Sequence, residues 1–158
     1  RTEALLYATA RSSHVDQVIR PALHRGDVVV CDRFVDSSLA YQGVGRGLGV
    51  EAIAGINAFA TGGVRPHLTF LLDISAEAGR ARRTAGRGQE DRLESEPDEW
   101  HALIREAFLE QARNAPERYV VLDATLPQDE LFTQICAAVA QRRPLLAAAL
   151  AATSEETA

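Results

Sequence analysis

Two kinds of apolar pattern alternate along this chain. Val28-Val29-Val30-Cys31, the run over 68–74 and the run over 119–122 are short, nearly continuous and rich in β-branched residues. Such runs predict buried strands of a parallel sheet, which is covered on both faces. Between them the apolar residues follow helical spacing. Leu5, Leu6, Ala10, Val15, Val18 and Ile19 predict a helix over 2–23, ended or kinked by Pro21. Ile53, Ile56, Phe59 and Ala60 predict a second over 50–60, stopped by Gly62-Gly63. Trp100, Leu103, Ile104, Phe108 and Leu109 form the stripe of a long helix over 98–113, and a last helix covers 128–141. Strands alternating with helices make this an α/β chain.

The first predicted strand runs into the most informative stretch, Asp32-Arg33-Phe34-Val35-Asp36-Ser37-Ser38-Leu39-Ala40-Tyr41-Gln42-Gly43-Val44-Gly45-Arg46-Gly47. In open α/β sheets, ligands bind beyond the carboxyl ends of the strands. An arginine there offers a planar fork that fits phosphate oxygens. The hydroxyls, tyrosine and glutamine behind it suit a sugar and a base, so the stretch reads as a nucleotide-monophosphate site. Plainer readings exist for each part. Asp32 and Arg33 can be a surface ion pair, Ser37 or Ser38 a helix N-cap, and the glycines around Arg46 a flexible loop.

The same stretch closely resembles thymidylate kinases (dTMP kinases). The resemblance extends upstream to Tyr7-Ala8-Thr9-Ala10-Arg11 and to Val18–Leu23. Downstream it takes in Pro66–Asp73, the Gly86–Glu94 segment that looks like the family's lid, and Val120–Ala124. It implies a P-loop NTPase-like three-layer parallel sheet with flanking helices, and ATP-dependent phosphorylation of dTMP to dTDP with Mg²⁺. Carried over residue by residue, Tyr7 stacks on thymine and Arg11 bonds the base edge. Arg33 holds the dTMP phosphate, Asp32 orders the phosphate and metal region, and Ser38 faces the base. Tyr41 packs on the deoxyribose, and Gln42 is a weaker contact through water. Arg87 and Arg92 in the lid cover the transferring phosphoryl group, as an arginine finger does, and serve the ATP site. Asp123-Ala124-Thr125 lies near adenine through its backbone. The resemblance also implies a homodimer.

Composition sharpens the picture in one respect. All 17 basic residues are arginine and there is no methionine. A P-loop needs G-x-x-x-x-G-K-[ST], whose lysine reaches the β- and γ-phosphates, so that motif is absent. The expectation is an N-terminally truncated kinase domain over 1–143 that supplies three strands, with the ATP phosphate site largely outside the chain. An Ala-rich, mostly disordered tail would occupy 144–158. The rival readings are a related deoxynucleoside or nucleoside-monophosphate kinase, and a catalytically inactive kinase-like binding module. A net charge of −5 argues against a broad nucleic-acid-binding surface. No apolar run approaches a membrane span, and no signal peptide is visible, which points to the cytoplasm. Cys31 and Cys136 read as small buried hydrophobes.

Overall fold

The computed structural model describes residues 1–86, 96–144 and 148. The Ala-rich tail expected over 144–158 therefore lies almost wholly outside the described residues. The chain enters through α1 (Thr2–His14), which runs through a π-helical segment (Val15–Ile19) into α2 (Arg20–His24). Pro21 does not end the helix: it follows directly on the π-helical segment, whose altered hydrogen-bond spacing accommodates the missing N–H. The buried stripe differs from the expected one. Ala4, Ala8, Val15 and Ile19 face inward, whereas Leu5, Leu6 and Val18 are 53%, 65% and 51% exposed and Ala10 is exposed too. Small residues let α1 approach α4 (Val50–Thr61), which packs across it.

The segment Val28–Cys31 is not a strand, against expectation. A strand needs a hydrogen-bonded neighbour, and among the described residues none lies beside it. Val30 is 94% exposed, and only Val29 reaches inward, onto a small cluster of Val15, Ile19 and Phe34. The described sheet thus has two strands rather than three: β1 (Thr69–Asp73) and β2 (Tyr119–Asp123). They are parallel, with Thr69 opposite Tyr119 and Asp73 opposite Asp123. The connection between them runs through α5 (Ala76–Gly86) and α6 (Asp98–Asn114), as a parallel pair requires. The strands are only half covered: Leu72 and Val121 are 52% and 47% exposed. After β2, α7 (Gln128–Arg142) buries none of its residues.

The turn that matters lies between these parts. Phe34 is buried and precedes α3 (Val35–Ser38), which continues as a π-helical segment (Leu39–Gly45). The serines lie inside this helix, so neither is its N-cap. A second apolar cluster of Ala40, Ile104 and Ala107, flanked by Tyr41, Val44, Trp100 and Phe108, fixes the π-helical segment to α6. Asp36 ties α3 to the sheet, because Arg118, just before β2, donates to both of its oxygens at 2.9 and 2.8 Å. Arg118 also donates to Thr69 at 3.0 Å and lies over the Tyr119 ring. Cys31 and Cys136 are both exposed rather than buried.

Candidate functional site

Arg11 reaches the interior because of its place on α1. Residues 4, 8, 11 and 15 follow the spacing of one helix face, so Arg11 interrupts a stripe of Ala4, Ala8 and Val15. Its guanidinium is half-buried and donates three hydrogen bonds, one to α4 and two to α3 and the residue that precedes it. Nη1 donates to Asn57 Oδ1 on α4, and Nη2 donates to the Phe34 carbonyl at 3.1 Å and to Ser38 Oγ at 3.0 Å. The Phe34 ring lies 5.6 Å from Cζ. Burial lowers the Arg11 pKa, opposed by Cys31 and Asp36, and an arginine lowered from so high a value stays charged.

Two steps along the turn, Arg33 is exposed and holds φ at 63°, the left-handed region that non-glycine residues avoid. Its guanidinium lies 5.4 Å from the Tyr41 ring. Tyr41 in turn packs against Trp100 and Phe108, with ring centroids 5.7 and 6.0 Å away. Asp32 is exposed as well. The Cys31 thiol donates to the Arg33 carbonyl at 3.2 Å, and although the residue is exposed, partial desolvation and then Asp32 push its pKa up. Tyr7, one turn before Arg11, is 45% exposed. A cavity of about 160 Å³ opens at the carboxyl end of β1, lined by Tyr41, Asp73, Ser75, His101, Arg105 and Phe108. Arg105 closes one wall with a two-pronged ion pair to Asp73, at 2.6 and 2.8 Å.

Gln42 is committed elsewhere. It is buried, and its amide donates to Glu3 Oε1 at 2.9 Å. Arg46 bridges the same Glu3 oxygen, at 4.0 Å, to Glu96, at 2.8 Å, and lies over Trp100. The glycines before it do not loosen the backbone. A Cβ at Gly45 would come within 2.6 Å of Ile104 Cδ1 and 3.1 Å of the Trp100 ring, while Trp100 Nε1 donates to the Gly45 carbonyl at 3.1 Å.

A family profile described as thymidylate kinase matches residues 1–135. A protein of Lactobacillus helveticus named thymidylate kinase is 52% identical over 145 residues, covering 91% of this chain and 68% of that one. One of Deinococcus radiodurans, with the same name, is 51% identical over 140 residues, covering 89% and 68%. The chain belongs to the thymidylate kinase family. It spans about two thirds of the length of these relatives.

Within this member of the family, the structure brings Arg11 and Ser38 into contact, and Arg33 onto Tyr41. It turns the Gln42 amide toward Glu3. Arg87 and Arg92 lie outside the described residues. Arg80 pairs with Asp98 at 2.6 Å, and Arg82 donates to the Ala124 carbonyl at 2.8 Å, so both brace the fold. That bond ties α5 to the turn after β2, where Asp123 accepts from the Thr125 amide and hydroxyl at 2.8 and 2.7 Å. Sequence reasoning missed Asn57 and Thr61, both buried on α4. The signal was present: residues 53, 57 and 61 share one helix face, so a polar residue between Ile53 and Thr61 had to find partners inside. Among the described residues, no three His, Cys, Asp or Glu side chains converge on a point that could hold a metal ion. No described helix is long and apolar enough to cross a membrane.

Proposed function

We propose that this protein transfers the γ-phosphoryl group of ATP to the phosphate of dTMP, giving dTDP and ADP. The observation that carries the reading is the identity of about half the residues, over nine tenths of the chain, to proteins named thymidylate kinase. In this reading an oxygen of the dTMP phosphate attacks Pγ in line, and the bond from Pγ to the bridging β-oxygen breaks. The chain's own contribution is position and charge. Arg33, projecting from a strained turn, holds the acceptor phosphate, and Asp32 beside it helps order the phosphate and metal region. Tyr7 stacks on the thymine, and Arg11 and Ser38 meet its polar edge. Tyr41, held by Trp100 and Phe108, is a shelf under the deoxyribose that leaves no room for a 2′-hydroxyl. Gln42 reaches substrate only through water, since its amide is engaged with Glu3.

Arg87 and Arg92 cover the transferring group and offset the charge growing on its oxygens. Mg²⁺ would stay with the donor phosphates in this reading, and no described residue is assigned as its ligand. The protein works as a homodimer in the cytoplasm; the apolar residues left exposed on α1 suit the contact with a second copy. The test is ADP release by the protein made from its complete gene, measured with dTMP, dUMP, dCMP, dGMP and AMP. The expected result is the highest kcat/KM for dTMP, by about tenfold or more over dCMP, dGMP and AMP, the advantage that one well-placed polar contact gives. Equal or better turnover of a purine nucleotide would overturn the assignment.

A further inference from the structure

We propose that Asn57 is a positioning residue that aims Arg11 at the base, and so sets the preference for a pyrimidine carrying a carbonyl oxygen where cytosine carries an amino group. The inference rests on the reading of Arg11 as the base-edge contact. Asn57 is 1% exposed in the middle of α4. A buried amide in an apolar stripe is costly unless both its ends are satisfied. Here Nδ2 donates to the Ile53 carbonyl at 2.8 Å, which fixes the amide so that Oδ1 faces Arg11. Phe34 and Ser38 take both Nη2 hydrogens, and Asn57 takes one from Nη1.

Three of the five N–H groups are thereby spent on the described protein, leaving Nε–H and one Nη1–H. A cation held this way offers only donors to whatever approaches. Thymine and uracil present carbonyl acceptors, whereas the 4-amino group of cytosine presents further donors and leaves Arg11 unpaired. Ser38 and Phe34 both grip Nη2, and among the described residues Asn57 is the partner that holds the Nη1 end. Asn57 touches no substrate in this account; it acts through Arg11.

The experiment uses the protein made from its complete gene, with Asn57→Ala, Asn57→Ser, Asn57→Asp and Arg11→Ala, each assayed with dTMP and dCMP and melted. Asn57→Ala should raise KM for dTMP about tenfold with kcat within about threefold, and lower the dTMP to dCMP ratio of kcat/KM about tenfold. Asn57→Ser, too short to reach Arg11 but still polar, should give the same shift if the alanine variant fails to fold. Asn57→Asp keeps an acceptor and should restore the ratio, although it loses the bond to Ile53. A lower melting temperature with the KM and the ratio unchanged would make Asn57 purely structural and end the proposal. If Arg11→Ala shifts the ratio and the Asn57 variants do not, only the positioning role falls. If Arg11→Ala leaves the ratio unchanged, the base-edge reading falls and the positioning role with it.

Discussion

Arg33 combines an exposed charge with a backbone conformation that its side chain disfavours. Left-handed φ costs a non-glycine residue about 1–2 kcal/mol, and such strain persists where surrounding structure enforces it. Stability and function therefore ask for different residues at position 33. Arg33→Gly should be more stable than Arg33→Ala by about 1 kcal/mol in urea unfolding, since alanine keeps the strain and glycine removes it. In the protein made from its complete gene, both should lose nearly all turnover, and Arg33→Lys should fall well short of the parent because it lacks the two-pronged fork. Near-parent kcat/KM in the alanine variant would take Arg33 out of the site. Cys31, two residues earlier, gives a probe of the same turn. Partial desolvation and Asp32 raise its thiol pKa, while Arg11 opposes them. In a Cys136→Ala background, its alkylation by iodoacetamide should be slower than that of free cysteine at pH 8 and speed up at higher pH. Arg11→Ala should slow it further, because the lost cation was favouring the thiolate. A rate equal to free cysteine would contradict the local field described here.

At the scale of elements, two contacts hold the site in place, and each can be cut. Asp36 and Arg118 are mostly buried, with side chains 13% and 23% exposed, and they join α3 to the start of β2. Removing one partner leaves the other charge without compensation, so Asp36→Ala should cost about 2–4 kcal/mol. The double variant Asp36→Ala/Arg118→Met should recover part of that loss; strict additivity in urea unfolding would argue against the pair. Gly45→Ala should cost about 1–3 kcal/mol by overpacking against Ile104 and Trp100. Ile104→Val removes the atom at 2.6 Å and should relieve part of the cost.

These elements also show what the sequence could and could not tell. Helix α6 and strand β2 came out within a residue or two of the expected bounds, because a long stripe and a β-branched run are strong local signals. The expected strand at Val28–Cys31 failed because a strand is completed by a neighbour, which local pattern does not report. Leu5 and Leu6 were misassigned for a related reason: apolar character does not say which helix face meets α4, and there the small alanines do. Arg11 was legible through the family motif, but its clamp was not, since Asn57 is 46 residues away and reads as an ordinary helix residue.

At the scale of the whole molecule, the described residues expose apolar surface that a stable single domain would cover. Among the described residues the buried apolar clusters are small, one around Val15, Ile19 and Phe34 and another around Ala40, Ile104 and Ala107. Meanwhile Val30, Phe59, Phe132 and Leu6 are 94%, 92%, 67% and 65% exposed. The parallel sheet has two strands, with the other edge of β1 unpaired among the described residues. Parallel sheets normally depend on cover on both faces, and two strands alone are marginal in water. An apolar, unpaired edge is also a template for association between chains. The 158-residue chain expressed alone should therefore unfold at low urea with a shallow transition, and aggregate on concentration. Val30→Lys with Phe59→Lys should raise the concentration at which it stays monomeric, by breaking the two large apolar positions most exposed among the described residues. It should also show no dTMP-dependent ADP release. Its 17 basic residues are all arginine, so no lysine is available to reach β- and γ-phosphates over a cradle of backbone amides. Light scattering, a urea titration and a coupled ADP assay on one preparation test these expectations together. A steep, cooperative transition in monomeric material that turned over dTMP would mean that the exposed edge is harmless, and that arginines can replace the missing lysine.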